Sequence, residues 1–379
     1  MSHPFMGAEH ETFRAELRRF IQAELEPHIE EWEAAGEVPR AIYQRAAEVG
    51  LLGVGYPEEY GGISAPDTFY KMIAVEELAR TGSGGLVAAL GSLGIGIPPI
   101  VALGSAELKA RCLPPVLRGE KIAALAITEP GGGSDVANLS TSARREGDHY
   151  VINGQKTFIT SGMRADVLTV AVRTGGEGMG GISLLMVEGD RPGLSRTPLN
   201  KMGWLCSDTA TLYFQDCRVP AANLIGTENQ GFLGIMRNFN NERLALATQA
   251  YGQAQACWEE AAAYAQERQT FGKALIRHQV IRHKLVEMAS RLRAVRATLD
   301  QLIWRVDQGE VPIADLCMLK TLATDTAEFV AGEAVQILGG AGYMRGCKSE
   351  RVFRETKVLS IGGGASEIMR DLAARQLGL

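Results

Sequence analysis

The spacing of apolar residues divides the chain into three textures. Up to about residue 120 it is helical. Phe13, Leu17, Phe20, Ile21 and Leu25 recur at helical intervals until Pro27 interrupts, and Met72, Val75, Leu78 and Ala79 repeat the pattern. Residues 82–99, rich in glycine and small apolar side chains, are compatible with a closely packed helix. From about 121 to 228 the pattern is that of strands: residues 122–127, 167–172, 182–187 and 211–214 form short apolar runs, and 175–181 a flexible turn. Asn153-Gly154, inside 150–158, predicts a hairpin between two strand-like runs. From about 230 the helical period returns. Leu244, Ala247, Tyr251, Ala254 and Trp258 form one stripe, and Leu285, Met288, Leu292, Val295, Leu299 and Leu302 another. A third helix over about 313–338 follows Pro312. The expectation is an α+β chain with an N-terminal helical domain (1–120), a small central antiparallel β-barrel or sandwich domain (121–228) and a C-terminal four-helix bundle (229–379).

Composition narrows the function classes. The 379 residues suffice for two or three domains, and a net charge of −5 with no strongly basic domain argues against nucleic acid as a partner. Cys112, Cys206, Cys217, Cys257, Cys317 and Cys347 show neither CxxC pairing nor zinc-ligand spacing, so they read as reduced, mostly buried thiols of a cytoplasmic protein. No signal-peptide pattern opens the chain, and no apolar run is long enough for membrane insertion. Of the six histidines only His278 and His283 lie close together, at an offset that keeps them off one helix face, so no metal site is expected. No G-x-S-x-G elbow supports a serine hydrolase.

The densest chemistry lies in Thr128-Glu129-Pro130-Gly131-Gly132-Gly133-Ser134-Asp135-Val136, directly after the apolar run 122–127. A strand that stops at Pro-Gly-Gly-Gly feeds a tight loop. Its bare backbone admits a bound molecule closely, with hydroxyls at Thr128 and Ser134. Three more segments follow: Lys156-Thr157-Phe158-Ile159-Thr160-Ser161-Gly162, Glu267-Arg268-Gln269-Thr270-Phe271-Gly272-Lys273 with Gln279 soon after, and Val335-Gln336-Ile337-Leu338-Gly339-Gly340-Ala341-Gly342-Tyr343. In motif, order and spacing the four resemble the acyl-CoA dehydrogenase family, flavoproteins of fatty and branched acid oxidation, over essentially the whole chain.

That resemblance implies non-covalent FAD, bound without a Rossmann G-x-G-x-x-G. Leu125, Ile127, Thr128, Gly133, Ser134, Phe158, Ile159 and Thr160 would lie along the flavin ring. Phe158 stands where relatives often carry Trp; it keeps the flat apolar face and loses the indole N–H. Arg268, with Phe271 and Gln279, would reach the FAD pyrophosphate of a neighbouring subunit, where a guanidinium fork suits phosphate oxygens. Gln336, Ile337, Gly339 and Gly340 would take the other side, and Ala365 and Glu367 would complete the cofactor set. The layout implies at least a homodimer, a homotetramer being usual, with electron-transfer flavoprotein as the electron acceptor.

The reaction class needs a carboxylate, because a thioester α-carbon is a weak acid. Many relatives carry the base in an Ile-Tyr-Glu-Gly-Thr segment near the C-terminus. Here residues 361–368 read Ile-Gly-Gly-Gly-Ala-Ser-Glu-Ile, and Gly363 replaces that glutamate. In the long-chain and isovaleryl branches the base is the Glu of a Glu-Arg pair that Glu242-Arg243 matches. In Asn240-Asn241-Glu242-Arg243, read as opening the long helix of the third domain, Glu242 is therefore the expected catalytic base; a helix-capping carboxylate is the structural alternative. Glu367 ranks second. Ser134, Asn240 and Arg243 match positions for the CoA moiety, and Gly363 and Gly364 line the acyl group, where Gly363 N–H would donate to the thioester carbonyl. The glycines at 362–364 also suggest room for a branched acyl group. The implied activity is dehydrogenation of a saturated acyl-CoA to trans-2-enoyl-CoA. Its alternatives are other flavin chemistry on the same scaffold, such as oxygen-dependent oxidation or acyl-CoA desulfination, and a silent acyl-CoA or FAD binding protein.

Overall fold

The computed structural model describes residues 4–379, without the side chains of Arg237, Asn238 and Asn240. It opens with α1 (Ala8–Phe20), α2 (Ile29–Ala35) and α3 (Arg40–Glu48). Between α1 and α2 the chain widens into a π turn over Ile21–Leu25 and tightens over Glu26–His28, where Pro27 sits. Next come α4 (Thr68–Ala79), α5 (Gly84–Gly91), α6 (Leu93–Gly96), α7 (Pro98–Leu103) and α8 (Ala106–Leu117). Asp67, Ser83 and Ser105 cap α4, α5 and α8 through their side-chain oxygens.

The glycine-rich 82–99 stretch is thus a run of short helices, bent by 48° between α5 and the α6–α7 segment. Its small residues allow close packing on the sheet that follows. A Cβ at Gly96 would lie 2.9 Å from the backbone nitrogen of Ala124, and Thr169 Oγ1 donates to Gly96 O at 2.6 Å. Among the described residues no single helix is long and apolar enough to cross a membrane; this bent pair passes on length and composition alone.

The middle of the chain supplies β1 (Ala123–Ala126), β2 (Ser142–Glu146), β3 (His149–Thr160), β4 (Val167–Arg173), β5 (Ile182–Glu188), β6 (Leu194–Pro198), β7 (Thr209–Pro220) and β8 (Leu224–Ile225). They order as β6-β7-β3-β2-β4-β5-β8. β1 joins beside β4 in parallel, from Ala123↔Val167 to Ala126↔Val170, so the sheet is mixed rather than purely antiparallel. β4 is buried on both faces. Val167 and Ala171 pack into the helical core of the N-terminal part, while Leu168, Val170 and Val172 face the sheet's own interior.

The Asn153-Gly154 hairpin is overturned. Residues 149–160 are one strand between β2 and β7, and both neighbours pair with it. Asn153 and Asp216 bond each other across the β7 side, and Gly154 takes φ +141° against Thr141. The register shift there is a bulge, past which the ladder with β7 resumes at Gly154↔Phe214, while the ladder with β2 ends at Asn153. The turn itself comes earlier, between β2 and β3, at Gly147 with φ +64°.

The C-terminal part is built on α9 (Gly231–Glu267), α10 (Gln279–Asp307) and α11 (Ile313–Leu338). The short α12 (Gly340–Tyr343), α13 (Lys348–Glu355) and α14 (Lys357–Ile361) lead into α15 (Ser366–Leu377). The predicted stripes form its core: Leu244, Ala247 and Ala254 meet Leu285, Met288, Leu292, Val295, Leu299 and Leu302. Half-buried Trp258 packs at its edge, its indole donating to Leu285 O at 3.0 Å. Buried ion pairs tie this bundle to the first helices. Arg14 meets Glu76 and Glu77, and Arg296 meets Glu76 at 2.8 Å. α9 starts at Gly231, well before Asn240, so Glu242 lies inside the helix and is no N-terminal cap.

Candidate active site

The 128–135 loop is shaped from beneath by Glu129. Glu129 and Gly132 exchange two backbone hydrogen bonds, at 3.1 and 3.0 Å, closing the Pro-Gly-Gly turn. The buried Glu129 carboxylate accepts from Ser140 N and Oγ, Thr141 N and the Lys156 ammonium at 2.7 Å. Burial alone would raise its pKa, but Lys156 and these donors hold it at about 2. Lys156 also donates to Ile127 O at 2.9 Å, and Thr157 N to Thr128 O at 2.8 Å. Loop and strand end are thereby fastened together, with Gly133 and Ser134 exposed and Thr128 half-buried.

Beside the loop, the register slips again between Lys156 and Ile159. Phe158 and Ser161 both take φ +59°, which turns the Phe158 ring outward to 68% exposure. A bulky residue held at positive φ stores strain, and an exposed ring forgoes burial energy. Ile159 is buried, Thr160 and Leu125 half-buried, and Ile127 buried at the base of the loop. Thr128, Gly133, Ser134, Phe158 and Thr160 are thus at least partly exposed around this junction, with Ile127 and Ile159 buried beneath it.

A second group forms on the bundle. Glu242 and the buried Arg243 project from α9, and Gly363 and Gly364 lie in the turn between α14 and α15. A Cβ at Gly363 would lie 3.5 Å from Glu242 Oε1 and would overlap Leu246 Cδ1. The carboxylate thus stands beside the position where a glutamate is missing, and Leu246 fills the space such a side chain would need. The room that three glycines suggest for a branched acyl group is taken on this side. Glu242 Oε2 is sealed from solvent and has no hydrogen-bond partner among the described residues. Burial pushes its pKa up to about 7, against the opposing pull of Arg243 and Lys320. Half-buried Ala365 and exposed Glu367 continue from the same turn. The side chain of Asn240 lies outside the described residues.

Arg268, Phe271 and Gln279 lie at the far end. The Glu242-to-Arg268 path along α9 is roughly 40 Å at about 1.5 Å per residue. Phe271 is 97% exposed at φ +50°, and Arg268 and Gln279 are exposed. At the end of α11, Ile337 is buried, while Gln336, Gly339 and Gly340 are exposed and nothing lies within 4 Å of a Cβ at either glycine. This group does not meet Glu242 within one chain.

Sequence reading gave no role to three residues that build the site: Lys156, Leu246 and Lys320. A signal existed for Lys320, a lone cation inside the apolar run Leu316-Cys317-Met318-Leu319-Lys320-Thr321-Leu322. Among the described residues no group of His, Cys, Asp and Glu could hold a metal, and the six cysteines are unpaired, five of them buried.

Three family models cover the chain: acyl-CoA dehydrogenase N-terminal domain over residues 7–120, middle domain over 124–217 and C-terminal domain over 229–378. The mitochondrial long-chain specific acyl-CoA dehydrogenase of Sus scrofa is 37% identical, over 98% of this chain and 87% of its own length. The crystal structure of acyl-CoA dehydrogenase from Geobacillus kaustophilus superposes with a TM-score of 0.96 at 39% identity, covering 100% of both chains. Acyl-CoA dehydrogenase complexed with FAD from Bacillus anthracis gives 0.93 at 31% identity, over 100% of this chain and 68% of that one.

Proposed function

This chain belongs to the acyl-CoA dehydrogenase family, and on that premise we propose that it converts a saturated acyl-CoA thioester to the trans-2-enoyl-CoA, with Glu242 as the base. The observation that carries the assignment is Glu242 Oε2, sealed next to Gly363 and without a hydrogen-bond partner among the described residues. A carboxyl raised to about 7 is half ionised near neutral pH and basic enough to take a weakly acidic α-proton.

FAD is the family's cofactor, and the residues fit it. The outward Phe158 ring offers a flat face, the 131–134 loop offers uncovered backbone, and Thr128, Ser134 and Thr160 bring hydroxyls to the same junction. When bound, FAD supplies the acceptor for the β-hydride. The protein's own part is to hold the acyl chain against Glu242, to take the α-proton there, and to offer Gly363 N–H to the thioester carbonyl as negative charge develops on it. Arg243 and Ser134 serve the CoA moiety in this reading. Electron-transfer flavoprotein is the proposed electron acceptor.

The 40 Å offset supports a homo-oligomer, at least a dimer and by family resemblance a tetramer. Arg268, Phe271, Gln279 and the 336–340 turn would then reach the FAD of a second copy, which would cover a ring otherwise 97% exposed.

The test is anaerobic titration of the flavin-loaded protein with straight and branched acyl-CoAs, beside Glu242→Gln. Rapid bleaching by one acyl class, lost in the variant, supports the reading. Bleaching that survives in Glu242→Gln moves the base elsewhere. A flavin that no acyl-CoA bleaches turns the assignment towards oxygen-dependent chemistry or a binding role.

A further inference from the structure

The turn expected to carry the oxyanion-binding N–H lacks side chains of its own. Gly363 and Gly364 sit at φ +63° and +100°, and glycine backbone at such angles is intrinsically loose. One side chain reaches in to hold it. Lys320, fully buried on α11, donates from Nζ to Gly364 O at 2.8 Å. Burying an ammonium is costly unless hydrogen bonds and opposite charge compensate. The carbonyl supplies the first and Glu242 the second.

We propose that Lys320 is a positioning residue for proton abstraction: it anchors the 362–364 turn so that Gly363 N–H is aimed at the thioester, and it sets its charge against Glu242. The proposal rests on Glu242 being the base. Around Glu242 the charged groups are Arg243 from α9 and Lys320 from α11, both favouring the carboxylate. Around Lys320 they are Glu242 and Arg243 from α9, with Cys317 and Asp325 from α11 itself. Burial lowers the Lys320 pKa to about 8, so near neutral pH the ammonium still carries its charge. One side chain therefore couples the two halves of the site. It steadies the donor that faces the charge developing on the thioester carbonyl, and it favours the ionised form of the acceptor of the α-proton.

Two substitutions separate these roles. Lys320→Gln keeps an N–H donor for Gly364 O and loses the charge; Lys320→Met loses both. We expect Lys320→Gln to move the acid limb of the kcat/KM pH profile upward by about one unit, roughly a tenfold loss below the limb, with amide hydrogen exchange in 360–366 close to the parent. Lys320→Met should show the same pH shift, faster exchange in that segment of the free protein, and a further fall in kcat. If Lys320→Met does not fold, Lys320→Arg, which keeps charge and donor, should hold the parental limb while Lys320→Gln shifts it. An unmoved limb in Lys320→Gln overturns the electrostatic half, and unchanged exchange in Lys320→Met overturns the anchoring half. Glu242→Gln run in parallel tells the premises apart. If it still turns over, the base assignment fails; if it is dead and the lysine variants behave like the parent, only the role of Lys320 fails.

Discussion

Glu242 carries two opposed demands, one chemical and one thermodynamic. Its carboxyl is raised from about 4.5 to about 7, first by burial. A base must be ionised to work, so kcat/KM should rise about tenfold per pH unit below this value and flatten above it. The same shift weakens the fold. The folded state holds a proton that the unfolded state releases, so the contribution is full below about 4.5 and is lost as pH rises through about 7. Glu242→Gln should therefore melt higher than the parent at pH 8, by roughly 2 kcal/mol, and close to it at pH 4.5. Equal melting shifts at both pH values would contradict this. Gly363 sets a second test at this scale. Alanine there meets positive φ and overlaps Leu246 Cδ1, so Gly363→Ala should destabilise by about 1–3 kcal/mol. Leu246→Ala in the same chain should recover the steric part and leave the backbone part. Thermal unfolding of the single and double variants measures both.

At the scale of elements, loop and strand end stand or fall on one buried pair. Glu129 and Lys156 are both buried, and removing one partner strands the other's charge. Glu129→Gln should cost about 3–5 kcal/mol and loosen the 128–134 loop, read as weaker flavin retention. The parent's own pH response has the opposite sign to that of Glu242. With Glu129 depressed to about 2, its contribution is present above about 4.5 and is lost as pH falls through about 2. A Glu129→Gln protein as acid-sensitive as the parent over that window would refute the assignment. Much at this level was legible in the sequence. The runs that became β4, β5 and β7 announce themselves because their burial alternates or saturates, and the bundle stripes because long helices repeat the signal many times. The misread elements failed for physical reasons. Asn153-Gly154 carries turn chemistry, but the pairing of β2 and β7 on either side outweighs a local preference. The helical pattern returns at about 230, as expected, but Asn240 does not open α9: the helix already runs through Gly231 and Gly234, which let it pack on β5 and near Leu103. Glu242 stood out as the proposed base because the alternative position, Gly363, carries no carboxylate. Lys320 and Leu246 did not stand out, since their roles depend on which helices become neighbours.

At the scale of the whole molecule, the parts meet around carboxylates that cannot all ionise. Glu33 from α2 accepts from Cys206 N at 3.2 Å, and Glu355 from α13 accepts from Gly84 N and Trp204 N, each at 2.7 Å. One junction thus joins the first helices, the loop before β7 and the C-terminal bundle. Burial, then the nearby Glu33 charge, raises Glu355 to about 8, so near neutral pH it is mostly the neutral acid. Its stabilising contribution is full below about 4.5 and is lost as pH rises through about 8. Glu355→Gln separates charge from hydrogen bonding here. A glutamine amide has one acceptor oxygen, so only one of the two backbone donors, Gly84 N or Trp204 N, keeps its partner. Near pH 4.5, where the parent's contribution is full, the variant should be less stable than the parent by about 1–2 kcal/mol for the stranded donor. As pH rises from about 4.5 to 8 the parent loses that contribution and the variant has none to lose, so the gap should close or reverse. Glu33→Gln gives the complementary case. With the neighbouring charge gone, Glu355 ionises at lower pH and at less cost, so the loss should level off at lower pH and be shallower. Thermal unfolding of the three proteins from pH 4.5 to 9 reads both effects; parallel curves would mean that the junction holds no proton, and that hydrogen bonds and packing alone join the parts.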